Sequence, residues 1–156
     1  MTTIADIIGT EAEDEFLNFD LTEIQETLSN LRNTDTIDLA HAEKLAQQCL
    51  RCADILAEYL GKLIKTTGYL ESKVSSTKNK IALEYESPGG KTTADQRKAA
   101  SESAPEVDEL QIRLAKAKGS KSLVEKKYDI LLKSHHSYKD VAAGLRKTIL
   151  GYGNGT

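Results

Sequence analysis

The stretch LEYESPGGKTTADQRKAA, residues 83–100, admits two readings. Gly90-Lys91-Thr92 has the form of the tail of a phosphate-binding loop. The same residues also suit a bend between two helices. A phosphate loop needs Gly-x-x-x-x-Gly-Lys-[Ser/Thr] after a buried strand and at the start of a helix. Its first glycine would fall at position 85, which is Tyr85. The preceding segment, SSTKNKIALEYE (75–86), is a charged helix rather than an apolar strand. No acidic residue follows an apolar strand to hold magnesium. Ser87-Pro88-Gly89-Gly90 is instead a strong stop. The stretch reads as a bend, the chain as a helical hairpin, and the protein as not an enzyme.

Helical periodicity runs outward from this bend on both sides. Before it, from about 37 to 85, apolar or small residues fall at Leu45, Cys49, Cys52, Leu56, Tyr59, Leu63, Thr67, Leu70, Val74, Thr77, Ile81 and Tyr85. The steps of three and four are those of a coiled-coil seam. After it, from about 104 to 149, the seam holds Val107, Leu110, Leu114, Ala117, Lys121, Val124, Tyr128, Leu131, His135, Tyr138, Ala142, Leu145 and Ile149. Gly61, Gly68 and Gly119 weaken these helices, each by about 1 kcal/mol against Ala. At 1.5 Å per residue each helix is about 65–70 Å long. Matching lengths and one loop, 86–103, predict an antiparallel pair. Thr93 and Gln96 have capping-box spacing and predict a short helix through Ser101. Ser103, Glu106 and Pro105 mark the next helix start.

Ahead of the hairpin, Asp20 and Glu23 have capping-box spacing. Leu21, Ile24, Leu28 and Leu31 then line one face, which predicts a short helix over 20–32. NTDT (33–36) is a turn, with Asp35 or Thr36 available as the next N-cap. Residues 1–19 are acidic and weakly patterned, and are expected to be a mobile arm. GYGNGT (151–156) is expected to be a frayed tail. The expected class is all-α: a short N-terminal helix and a long coiled-coil-like hairpin. Leu39, Leu50, Leu60, Leu83, Ile112, Leu123, Leu132 and Leu150 lie off the seams. That surplus is expected to drive oligomerisation or to seat the N-terminal helix along the hairpin.

Composition agrees with this class. Of 156 residues 29% are charged and 5% aromatic, with no Trp. That mixture suits long amphipathic helices with solvated faces and disfavours a β-sandwich. No apolar run is long enough to cross a bilayer. The acidic, non-basic start is unlike a secretory signal. A cytoplasmic protein is expected. The charge is uneven. Residues 1–60 carry 13 acidic and 3 basic side chains, whereas 61–156 carry 11 acidic and 18 basic. Either both are solvated faces, or the basic part meets an anionic partner, nucleic acid first among them. A membrane surface is disfavoured, because the helices lack a bulky apolar face rich in Trp or Phe.

Cys49-Leu50-Arg51-Cys52 has Cys-x-x-Cys spacing. These are the only cysteines, and His41, His135 and His136 stand at no ligand spacing to them. A redox motif would follow a strand. On a helix both thiols face the seam, so packing is the simpler account. His135 falls in the seam with no nucleophile or carboxylate pattern beside it. No cofactor or metal is expected.

The basic residues near the bend are more suggestive. Lys73, Lys78 and Lys80 end the first long helix, and Lys91, Arg97 and Lys98 lie across the loop. Tyr69 and Tyr85 flank them. Lysine and arginine hold backbone phosphates, and exposed tyrosines stack on bases. No sequence-reading module is present, so any binding is sequence-independent. The competing account is a hairpin tip kept soluble by its lysines.

Tyr59-Leu60-Gly61-Lys62, then Lys80-Ile81-Ala82-Leu83, then Tyr85 and Ser87-Pro88-Gly89-Gly90 follow an order that resembles the UvsY family of phage recombination mediators. DQRKAASESAPEVDELQIRL (95–114) matches the family's next elements, and the resemblance covers roughly residues 50–148. It implies a ring-like homo-oligomer that binds single-stranded DNA without sequence specificity. It implies a role in loading a RecA-like recombinase onto strands covered by a single-strand-binding protein, in the cytoplasm of a phage host. Where the family has more Lys and Arg, this chain has Glu84 and Glu86. Any DNA contact is thereby expected at Lys73, Lys78, Lys80, Tyr85, Lys91, Arg97 and Lys98. The family's final helix serves assembly, which implies Leu131, Tyr138, Leu145 and Ile149 here. The rival expectation is a structural coiled-coil protein: a tether, assembly chaperone or virion component that ignores DNA.

Overall fold

A computed structural model describes residues 1–32 and 37–153, without the side chains of 152 and 153. The α-helices are α1 (Ile4–Ile8), α2 (Thr22–Asn30), α3 (Leu39–Glu84), α4 (Ala94–Glu102) and α5 (Pro105–Gly153), with a 3₁₀ turn at Glu15–Leu17. Among the described residues there is no strand, only an isolated antiparallel bridge between Thr3 and Asp20. The protein is all-α, and α3 and α5 pack against each other as an antiparallel hairpin. Partners run in opposite directions along the two helices. Arg146 Nε donates to Glu43 at 3.0 Å, and His135 Nδ1 lies 2.8 Å from the Ala46 carbonyl. Lys118 Nζ stands 2.8 Å from Glu71.

The chain forms two compact units. Unit 1 comprises 1–60 and 122–156, and unit 2 comprises 61–121. In unit 1 the seam positions Leu45, Cys49, Cys52, Leu56, Val124, Leu131 and Ala142 are buried. In unit 2 the buried seam positions are Leu63, Thr67, Leu70, Val107 and Ala117. Thr67 spends its hydroxyl on the Leu63 carbonyl at 2.9 Å, and Ser120 on Lys116 at 3.0 Å. Such i−4 bonds let small polar residues sit in a seam without an unsatisfied group. Both long helices run unbroken through Gly61, Gly68 and Gly119, because side-chain packing along the seam outweighs the propensity deficit at single positions.

Residues 1–19, expected as a mobile arm, hold α1 and the 3₁₀ turn. Thr3 and Asp6 form a capping box that starts α1, and Gly9 closes it at φ 68°. Ile4, Leu17, Leu21 and Ile24 are fully buried in unit 1, each contributing about 1.5–3 kcal/mol by leaving water. Thr2 and Leu21 fasten the segment: the Leu21 amide donates to the Thr2 carbonyl, and the Thr2 amide to Thr22 Oγ1, both at 2.7 Å. Phe19 stacks on Tyr59 with ring centroids 4.5 Å apart, and Tyr59 donates to the Asp20 carbonyl at 3.2 Å. Glu23 pairs with Arg51 at 3.0 Å. The N-terminal segment therefore packs on α3 at Arg51, Cys52 and Tyr59.

Smaller details also differ from the sequence reading. Asp20 does not box with Glu23; its carboxylate accepts from the amide and hydroxyl of Thr22 at 2.9 and 2.7 Å. The turn 33–36, with Asp35 and Thr36, lies outside the described residues, and Asp38 caps α3 by accepting from the His41 amide at 2.7 Å. Ser103 ends α4 rather than starting α5; its hydroxyl goes back to the Ala99 carbonyl at 2.9 Å. Ala104 supplies the carbonyl that opens α5, with Pro105 first in the helix. α5 continues through Gly153, into the expected tail 151–156; 154–156 lie outside the described residues.

Candidate nucleic-acid interface

All seven expected DNA contacts lie in unit 2. Thr93 and Gln96 form a complete capping box that fixes the start of α4. From there Ala94, Arg97, Lys98, Ser101 and Glu102 follow at helical spacing and share one face. On α3, Lys78, Asn79, Ala82 and Leu83 share another. These two faces line one groove of about 590 Å³. Lys78 stands on the α3 wall with Leu83, which is 76% exposed, and Arg97 and Lys98 stand on the α4 wall. Glu102 contributes the groove's one carboxylate among the described residues.

The structure brings together three of the seven expected residues. Lys73 and Lys80 are seven residues apart and share a face of α3, but that face is turned about 150° from Lys78 at 100° per residue. Lys73 instead sits over the exposed Tyr69 ring, 5.6 Å from its centroid. Such a contact holds a cation over a π face that would otherwise be free to stack. Tyr85 is half-buried beyond the end of α3 and does not line the groove. Lys91 is exposed in the connecting loop, just past Gly90.

That loop is a turn and no phosphate cradle. The Gly90 amide donates to the Ser87 carbonyl at 3.0 Å, and the Ser87 amide to Thr92 Oγ1 at 2.9 Å. Gly90 has φ 76°, which favours glycine. The segment before it is the C-terminal end of α3, so no strand presents the loop to a nucleotide.

Leu83, Asn79 and Glu102 were not anticipated as groove residues. The four-residue spacings 78–82 and 79–83, and 94–98 and 97–101, carry the signal that places them on facing sides. What the spacing lacks is the pairing of α4 with α3, which depends on how the loop turns.

The cysteines and histidines lie in unit 1. Cys49 and Cys52 are fully buried thiols. Burial, with Cys52 beside it, pushes the Cys49 thiol up to about 11. Burial also raises Cys52, which shares a 3.4 Å contact with Thr27 Oγ1. A thiol held protonated is a poor nucleophile and a poor metal ligand at neutral pH. Among the described residues no three His, Cys, Asp or Glu side chains cluster as a metal site. His135 is half-buried on the Ala46 carbonyl, with His136 edge-on at 5.2 Å.

Of the expected assembly residues, Leu131 is fully buried inside unit 1. Tyr138 and Leu145 are half-buried, and Ile149 is exposed. Among the described residues no helix is long and apolar enough to cross a membrane. Compared with known protein families, with characterised proteins and with solved structures, the chain matches none.

Proposed function

We propose that this protein binds single-stranded DNA without sequence specificity through the α3–α4 groove. We further propose that it acts as a UvsY-like recombination mediator. In that role it assembles as a homo-oligomer in the host cytoplasm and helps load a RecA-like recombinase onto strands covered by single-strand-binding protein. The observation that carries the reading is the convergence of Lys78, Arg97 and Lys98 on two walls of one groove, beside an exposed Leu83. Cations on opposite walls can follow a phosphodiester backbone, and the exposed leucine on the α3 wall gives a base an apolar contact. Single grooves of this kind bind weakly. Repetition around an oligomer would raise avidity, wrap the strand and loosen a competing protein.

The test is fluorescence-anisotropy titration of labelled poly-dT across a salt series. Three phosphate contacts per groove predict a log–log salt slope of about −2 per subunit. Duplex of the same length binds more weakly. The variant Lys78→Glu/Arg97→Glu/Lys98→Glu loses binding while keeping its helical circular dichroism, and Glu102→Gln binds more tightly. Unchanged affinity in the triple variant removes the groove. No binding at low salt favours the structural coiled-coil reading, which the exposed Leu50, Ile112, Ile149 and Leu150 also suit.

A further inference from the structure

Unit 1 carries a second cleft, of about 460 Å³, beside the end of α2. Gln25, Ser29 and Arg32 line one side at helical spacing, and Lys127, Ile130 and Ser134 line the other along one face of α5. Arg32 and Lys127 thus face a common space, and neither makes an ion pair among the described residues. Two of the carbonyls at the end of α2 are already engaged by backbone amides. Thr27 O already accepts from the Leu31 amide and Ser29 O from the Arg32 amide, each at 3.1 Å. Half-burying an ammonium beside a guanidinium is unfavourable on both counts. Burial, then the Arg32 charge, holds Lys127 below the usual lysine range. A fold that keeps two like charges in a polar cleft is arranged for an anion between them.

We propose that this cleft is a phosphate site, taking a phosphate dianion either as inorganic phosphate or as the terminal group of a small organic phosphate. The Arg32 guanidinium presents a planar fork to two phosphate oxygens, and Lys127 supplies a point charge from the opposite wall. The Ser29 and Ser134 hydroxyls and the Gln25 amide are donors at the rim. Leu28 and Ile130 provide an apolar side against which an organic carrier can lie. The site is separate in sequence and composition from the DNA groove and stands without it.

The experiment follows amide shifts of the full chain during titration with inorganic phosphate and, in parallel, with adenosine monophosphate. Chloride holds ionic strength constant. Saturable shifts confined to 25–32 and 127–134 are expected, with affinity lowered at least tenfold in Lys127→Met and in Arg32→Gln. Lys78→Glu leaves them unchanged. Equal affinity for both probes assigns inorganic phosphate, and tighter binding of the nucleotide assigns an organic phosphate. Melting gives an independent readout. Phosphate raises the midpoint of the native protein. Lys127→Met melts no lower than the native protein without phosphate, because the uncompensated charge is gone, and loses the phosphate-dependent rise. Linear shifts spread over the basic residues of unit 2, or variants that bind phosphate as the native protein does, would overturn the assignment.

Discussion

Cys49 and Cys52 show how one residue's chemistry follows from its helical position. Spacing of three turns both thiols toward the seam, and this was legible in the sequence because a helix has a fixed period. The consequence for titration was not legible, because it depends on how completely neighbours exclude water. Cys49 is raised from its ordinary 9.0 to about 11. A raised value means that the folded state favours the neutral thiol. Its stabilisation is therefore whole below pH 9 and is lost as pH rises from 9 toward 11. Tyr59, raised chiefly by burial, shifts stability in the same direction. Urea midpoints measured between pH 8 and 10.5 should fall more steeply for the native protein than for Cys49→Ala. Equal slopes would mean that Cys49 titrates normally. Asp20 teaches the opposite lesson about legibility. Its spacing to Glu23 suggested a capping box, but a nearer donor pair on Thr22 takes the carboxylate, and Arg51, from a helix distant in sequence, takes Glu23. Local spacing cannot rank a local partner against a tertiary one.

Among the elements, α4 connects a local signal to the candidate site. Its Thr93/Gln96 box was readable from sequence because both partners lie within one turn. Its role as the second wall of a groove was not, because nothing local fixes its pairing with α3. Arg97 and Lys98 ride on this nine-residue helix, which is too short to persist without its cap and its packing. Thr93→Ala should destabilise α4 by about 1 kcal/mol. Amide exchange at Gln96 and Arg97 should accelerate about fivefold, with the buried seam of unit 2 unaffected. Single-strand affinity should fall although no charge is altered. Unchanged exchange at these amides would show that packing alone holds α4. The start of α5 was misread by one residue for a related reason: Ser103 had two helix ends within reach, and the Ala99 carbonyl won.

For the molecule as a whole, the seams were legible because repetition over more than forty residues averages out single exceptions. The N-terminal segment was not. Its apolar residues, Ile4, Phe16, Leu17 and Leu21, fall in short pieces separated by turns, so no single period links them, and the acidic composition dominates the reading. Its burial predicts a test. Leu21→Asp places a charge where the native side chain is fully buried, at a cost of several kcal/mol. The segment should undock, and Cys52, which touches Thr27 and the Glu23 carbonyl, should react with a thiol reagent at least tenfold faster. Most of the helical signal should persist. A reaction rate unchanged from the native protein would show that α3 and α5 alone seal the thiols. The division into units also sets an order of events during synthesis. Unit 2 is one continuous stretch, whereas unit 1 joins two pieces, and its Glu43–Arg146 pair closes 103 residues of chain. Local contacts form sooner than distant ones because less chain entropy must be lost before they are made. On the ribosome, the tip of the hairpin can close while the second half of α5 is still being made. Meanwhile the first sixty residues can make their own contacts, but the side of α3 that meets α5 waits for its partner. In this interval, rather than through any weakness in the finished fold, unpaired apolar surface opens a route to aggregation.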